Sequence, residues 1–125
     1  MIGSKKVVVV DDDAKVIMLV EKVLTRLGYQ VLSAADGKKA LELVKTEKPV
    51  LLISDILQPG IDGVGLCQSI KEDPHLEDIK VILMSGVYKQ TSLKREIMGA
   101  APDAFIDKPL EVQQLEGLVE KILKS

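Results

Sequence analysis

The chain alternates short apolar, β-branched runs with longer segments in which apolar residues recur every three or four positions. Runs of the first kind predict strands that are buried on both faces, and segments of the second kind predict amphipathic helices. Five strands are predicted in this way, at residues 6–10, 29–34, 50–54, 79–84 and 103–107. Five helices alternate with them, at about residues 14–28, 37–48, 63–72, 90–99 and 111–124.

This alternation predicts an α/β fold in which helices cover both sides of a parallel sheet. Right-handed crossovers leave few topologies, and one common arrangement of five strands is the flavodoxin-like, doubly wound order 2-1-3-4-5. Periodicity alone leaves other strand orders open. At 125 residues the chain has the size of one domain. We therefore expect a single domain over residues 1–125.

Residue types at the ends of the predicted helices fit capping roles. Asp13, Asp36 and Asp62 each precede a helix, where a short acidic side chain can accept backbone N–H groups. Gly28 follows the first helix, where a left-handed C-cap belongs. These four residues are therefore expected to shape the turns, with no part in chemistry.

Composition narrows the class of protein. The net charge is −2 and the aromatic residues number three, so neither a basic surface for nucleic acid nor a stacking platform for bases is expected. The longest early apolar run is four valines, which is too short for a signal peptide or a membrane span. The single cysteine, Cys67, cannot form an intrachain disulfide, and we expect it in the core. A cytoplasmic protein is the expectation.

Polar residues gather where the predicted strands end. The first strand is followed by Asp11 and Asp12, the third by Asp55, the fourth by Ser85 and the fifth by Lys108. In the order 2-1-3-4-5 the first and third strands are neighbours, so their carboxylates converge and repel one another. Mg²⁺, which prefers oxygen ligands, relieves that repulsion, and a lysine and a hydroxyl can contact phosphoryl oxygens. The pattern indicates metal-assisted phosphoryl transfer to a carboxylate nucleophile.

Four motifs carry a resemblance to a known family. They are VVDDD at 9–13, ISDILQPGIDG at 53–63, LMSG at 83–86 and FIDKP at 105–109. In this order, each at a strand end, they resemble the CheY-like receiver domain of two-component response regulators. The resemblance extends over nearly the whole chain.

The resemblance implies a role for each matching residue. Asp55 would be the phospho-acceptor, and Mg²⁺ would be bound by Asp55, by the acidic pair and by the backbone carbonyl of Leu57. Of the pair, Asp12 would bind the metal more directly and Asp11 mostly through water. Ser85 would be the switch hydroxyl, Lys108 the phosphate contact before a cis proline, and Phe105 the aromatic switch residue.

The resemblance also implies partners. A sensor histidine kinase or a phosphotransfer protein would supply the phosphoryl group. Phosphorylation would then change the surface made by the fourth helix, the fifth strand and the fifth helix. That surface would act on an output protein, on an effector domain outside this chain, or in a phosphorylation-dependent dimer. Such a domain assists its own phosphorylation and dephosphorylation and is not a turnover enzyme.

Three other functions are compatible with parts of the pattern. A small phosphatase of the haloacid dehalogenase type also places an Asp-x-Asp motif after its first strand, but Lys15 stands where that motif has Thr or Val. A flavodoxin-like cofactor binder would need a phosphate loop where this chain has aspartates, which would repel a phosphate. A pseudo-receiver that works without phosphorylation is the third alternative.

Overall fold

A computed structural model describes residues 5–56, 61–86 and 98–124. They form one five-stranded parallel sheet in the order β2-β1-β3-β4-β5. The strands are β1 Lys6–Val10, β2 Gln30–Ala34, β3 Leu51–Asp55, β4 Lys80–Ser85 and β5 Ala104–Asp107. The predicted sheet and its order are confirmed.

Four helices are described in full. They are α1 Ala14–Arg26, α2 Gly37–Glu47, α3 Gly63–Lys71 and a C-terminal helix, Val112–Lys124. The helix predicted at 90–99 lies outside the described residues except for its last two positions, and residues 98–100 are helical.

The sheet has an apolar core on each side because neighbouring residues of a strand point to opposite faces. On one face, Val8 and Leu52 pack in a cluster with residues of α2 and α3, including Cys67. On the other, Val9 and Met84 pack with residues of α1 and the C-terminal helix. Burial on both faces explains why these strands are continuous apolar runs and do not alternate between apolar and polar residues.

The predicted caps are present. The side chains of Asp13, Asp36 and Asp62 accept the backbone N–H groups of Lys15, Lys39 and Gly65, respectively. Gly28 follows the end of α1 with φ +98°, a left-handed conformation that a residue without Cβ adopts at no steric cost. These turns set where each strand and helix begins.

Strand register brings the predicted site residues to one edge of the sheet. Val10 of β1 is paired with Ser54 of β3, so the next residue of each strand, Asp11 and Asp55, reaches the same level. On the far side, Ser85 of β4 is paired with the last residue of β5, which directly precedes Lys108. Parallel strands therefore deliver all of these residues at their carboxyl ends.

Candidate functional site

Three carboxylates converge at this edge of the sheet. Asp11, Asp12 and Asp55 each place one oxygen within 4.8 Å of the other two. Asp11 is fully buried and Asp55 is 7% exposed, whereas Asp12 is exposed to solvent. The cluster therefore has two carboxylates held inside the protein and one at its open side.

Lys108 links the two buried carboxylates. Its Nζ lies 2.7 Å from Oδ2 of Asp11 and 3.3 Å from Oδ1 of Asp55. Its backbone N–H donates to the carbonyl oxygen of Ser85 at 2.7 Å, which fixes the residue just beyond β5, before the cis Lys108–Pro109 bond. One ammonium group thus sits between carboxylates from β1 and β3 and partly neutralises them.

Burial and charge both shift the site's proton equilibria. Burial raises the pKa of the Asp55 carboxyl, and the charges of Asp11 and Asp12 add to this, while the Lys108 ammonium works in the opposite direction. Burial acts to lower the pKa of Lys108, but the hydrogen bond to Asp11 and the nearby carboxylate charges outweigh it and raise the pKa overall. Lys108 therefore stays protonated at neutral pH.

Asp11 is held at both carboxylate oxygens. Oδ1 accepts the N–H of Asp13 at 2.9 Å, and Oδ2 accepts from Lys108. Its own N–H donates to the carbonyl oxygen of Ala34 at 3.3 Å. Asp11 is therefore tied to the start of α1, to the residue after β5 and to the end of β2.

The backbone around Asp55 is closely packed. The Ser54 hydroxyl donates to the carbonyl oxygen of Asp55 at 2.9 Å. A Cβ on Gly63 would overlap that same carbonyl oxygen and would lie 2.8 Å from Cα of Ile56. The sequence placed this glycine only at the start of the third predicted helix, after the cap residue Asp62. The structure adds that a residue without a side chain is needed for α3 to begin against the Asp55 backbone.

The remaining predicted residues lie in different surroundings. Ser85 is 4% exposed at the end of β4, and its hydroxyl donates to the carbonyl oxygen of Gly86 at 3.3 Å. Phe105 is 43% exposed on the edge strand β5. Leu57 lies outside the described residues, so its carbonyl stays a predicted ligand.

Comparison with known proteins decides the family. The family model described as "Response regulator receiver domain" matches residues 7–120. The chain belongs to this family. A receiver domain is not a turnover enzyme. Membership of this family excludes the phosphatase and the flavodoxin-like cofactor binder as alternatives. An acidic triad such as Asp11, Asp12 and Asp55 is typical of the Mg²⁺ site in receiver domains.

Relatives of known sequence and structure agree with this assignment. The chain is 31% identical over 121 residues to the alkaline phosphatase synthesis transcriptional regulatory protein PhoP of Bacillus subtilis, covering 97% of this chain and 49% of PhoP. It spans about half the length of the curated relatives it matches. The signal receiver domain of a signal transduction histidine kinase from Syntrophus aciditrophicus superposes with a TM-score of 0.89 at 28% identity, covering 97% and 91% of the two chains.

A response regulator from Thermotoga maritima superposes with a TM-score of 0.83 at 26% identity and covers 98% of this chain and 100% of that one. The predicted receiver fold is thus confirmed by solved structures as well as by the sheet order. No helix within the described ranges has the length and apolar character that crossing a membrane requires.

Proposed function

We propose that this receiver domain accepts a phosphoryl group on Asp55, delivered in the cytoplasm by a histidine kinase or a phosphotransfer protein. The observation that carries the proposal is the convergence of three carboxylates at the carboxyl edge of the sheet, two of which contact the Lys108 ammonium. A structural ion pair needs one acid for one base. Three acids around one base suit a site that takes up further positive charge.

The chemistry of the acceptor follows from its surroundings. A carboxylate oxygen of Asp55 attacks the phosphorus of a phosphohistidine whose other ring nitrogen carries a proton; the O–P bond forms, the P–N bond breaks, and the electron pair stays on the nitrogen, so that neutral imidazole leaves. Nζ of Lys108 lies 3.3 Å from Oδ1 of Asp55, and the lysine side chain is mostly buried. Lys108 can therefore stabilise negative charge on the transferred phosphoryl group. Positioning and electrostatics are the main requirements of phosphoryl transfer.

The donor set fits Mg²⁺. The cluster offers carboxylate oxygens, which this ion prefers, and the exposed Asp12 leaves one side open for the waters that it keeps. When bound, Mg²⁺ supplies positive charge to the oxygens of the transferred phosphoryl group. Both oxygens of Asp11 already accept hydrogen bonds, which supports Asp12 as the direct ligand and Asp11 as one that acts through water. The carbonyl of Leu57 completes the proposed set.

The proposed output begins at Ser85. Its hydroxyl donates a long hydrogen bond of 3.3 Å to the neighbouring carbonyl oxygen of Gly86. A phosphoryl oxygen on Asp55 can replace this acceptor. Phe105 lies on the adjacent strand with its ring partly exposed and can move inward when Ser85 turns toward Asp55. The surface that changes would comprise the predicted fourth helix, β5 and the C-terminal helix. Its partner would be an output protein, an effector domain or a second copy, and relatives such as PhoP are named as transcriptional regulators.

Acetyl phosphate with Mg²⁺ tests the acceptor. Intact-mass spectrometry should show one phosphoryl adduct on the wild type and none on Asp55→Asn. Asp78→Asn is the matched control, because Asp78 is exposed and precedes β4 at the opposite edge of the sheet. Equal labelling of wild type and Asp55→Asn would show that the acceptor is another residue. No labelling of the wild type, by acetyl phosphate or by phosphoramidate, would favour a pseudo-receiver.

A further inference from the structure

The turn between β2 and α2 contacts backbone on two sides, at Asp11 and at Ile61, although it brings no acidic side chain to the carboxylate cluster. At one side, the carbonyl oxygen of Ala34 accepts the N–H of Asp11 at 3.3 Å. At the other, Gly37, the first residue of α2, is buried against the backbone of Ile61. The sequence predicted nothing of this kind from the second strand.

The approach at Gly37 is too close for any side chain. A Cβ at this position would overlap the carbonyl oxygen of Ile61 and lie 2.7 Å from its carbonyl carbon and 2.9 Å from its Cβ. Because the oxygen and carbon belong to the backbone, no rotamer change can relieve the overlap. The side chain of Ile61 also packs on the α2–α3 core cluster, which limits how far this residue can retreat.

The contact leads directly to the acceptor. Two residues after Ile61, Gly63 packs against the carbonyl of Asp55, and its N–H donates to the carbonyl oxygen of Ile56 at 2.9 Å. Ile56 in turn donates its N–H to Met84 of β4 at 3.1 Å. The backbone that begins α3 therefore contacts α2 at Ile61 and the acceptor residue at Gly63.

We infer that Gly37 is a positioning residue of the proposed phosphoryl site, because it lets α2 begin against Ile61 and so holds the start of α3, where Gly63 packs against the carbonyl of Asp55. This inference rests on the proposed function. Asp36 is the N-cap of α2, so Gly37 is a helical position, where glycine is among the least favourable residues. The close approach to Ile61 explains the glycine, because only a residue without a Cβ fits there.

Gly37→Ala tests the inference through two readouts that a packing role alone would not change. The first is the Mg²⁺ dissociation constant, and the second is the rate constant for phosphorylation by acetyl phosphate at saturating Mg²⁺. Each should worsen by about tenfold or more, since a displacement of about 1 Å near reacting groups can cost about a hundredfold. Gly117→Ala is the control, because a Cβ there meets nothing within 4 Å. Both of its values should equal those of the wild type.

Circular dichroism and urea unfolding show whether each variant is folded. Wild-type affinity and rate in Gly37→Ala, whatever its unfolding midpoint, would limit Gly37 to packing and overturn the inference. If Gly37→Ala does not fold, Ile61→Ala replaces it, because truncating this partly exposed side chain loosens the same contact without an overlap. It should shift both readouts in the same direction by a smaller factor, and unchanged readouts would again overturn the inference.

The two proposals fail in different ways. Labelling of the wild type decides the proposed function, and the ratio of variant to wild type decides the role of Gly37. A wild-type chain that binds Mg²⁺ but takes up no phosphoryl group ends the acceptor proposal, while the ratio of Mg²⁺ affinities still judges Gly37. A wild type that does neither removes both proposals.

Discussion

The Lys108 ammonium lies 2.7 Å from Oδ2 of Asp11, a residue 97 positions away in the chain. The pair joins the turn after β1 to the turn after β5, which lie on strands separated by β3 and β4. Asp11 is fully buried, and its two carboxylate oxygens accept hydrogen bonds from this partner and from the N–H of Asp13. The predictions that follow begin with this pair.

Lys108→Met should destabilise the protein in Mg²⁺-free buffer. The substitution keeps the length of the side chain but leaves the buried Asp11 carboxylate without its cation. We expect the free energy of unfolding to fall by about 3 kcal/mol, the range for removing one partner of a buried pair. Urea unfolding measures this, and Lys22→Met on the exposed face of α1 should change it by less than about 0.5 kcal/mol. Equal effects of the two substitutions would show that the pair contributes little.

Asp55→Asn should be more stable than the wild type at pH 7 without Mg²⁺. Burial raises the pKa of the Asp55 carboxyl above its ordinary value of 3.8, so the folded state holds the proton more tightly than the unfolded state. The contribution of Asp55 to stability is therefore present below pH 3.8 and lost as the pH rises through the folded-state pKa. Urea unfolding from pH 7 down to pH 4 should show the advantage of Asn shrinking. An advantage that is constant with pH would contradict this account.

Mg²⁺ should raise the unfolding temperature of the wild type, because a ligand that binds only the folded state stabilises it. At a concentration about 100 times the dissociation constant, the gain is about 2.7 kcal/mol. Asp12→Asn should lose most of this gain, since it removes the exposed carboxylate at the open side of the cluster. Differential scanning calorimetry with and without Mg²⁺ is the measurement. A full response in Asp12→Asn would shift the role of direct ligand to Asp11.

The same substitution, lysine to glycine, should have opposite effects at two positions near the end of α2. Lys48, the C-cap, has φ +46°, which is strained for a residue with Cβ. Lys48→Gly should therefore raise the free energy of unfolding by up to about 1 kcal/mol. Lys45→Gly, in the last turn of the helix itself, should lower it by about 1 kcal/mol. Chemical denaturation of both variants compares the two signs, and a loss at both positions would mean that the left-handed turn is not strained.

Cys67 should react slowly with thiol reagents in the native protein. Burial raises the pKa of its thiol to about 11, and the thiol also donates to the carbonyl oxygen of Ala100 at 3.3 Å. At pH 8 only about a thousandth of the folded molecules would carry the reactive thiolate. Labelling with Ellman's reagent should speed up strongly in urea, where the thiol is exposed. Labelling at the rate of a free thiol in native buffer would place Cys67 outside the core.

The strands and helices were predictable because their determinants are local. Buried apolar runs gave the strands to within a residue or two, and Asp13 and Asp36 marked helix starts that the structure confirms. The order of the strands depends on packing between distant segments. Periodicity had left it open, and the choice of 2-1-3-4-5 came from a common arrangement of this fold class. The helix predicted at 90–99 largely stays a prediction.

The positions of the site residues were predictable where those residues directly follow a strand. Convergence of Asp11, Asp12 and Asp55 follows from parallel strands and their order. The hydrogen bond from Lys108 to Asp11 was not foreseen. The sequence indicated that Lys108 contacts a phosphoryl group, but it did not indicate which residue Lys108 contacts when no phosphoryl group is bound. The closeness of Gly37 to Ile61 was missed as well, because it depends on how α2 meets a loop 24 residues further along.

The two partners of Lys108 have a consequence for the proposed reaction. Its ammonium already rests among anions, 2.7 Å from Asp11 and 3.3 Å from Asp55. A phosphoryl group that arrives on Asp55 offers a third anion within reach of the same nitrogen. Lys108 can then exchange one negative partner for another without passing through a state in which its buried charge is unpaired. On this view the resting ion pairs occupy the position on Lys108 that the proposed phosphoryl group would take, and Lys108 keeps a negative partner throughout.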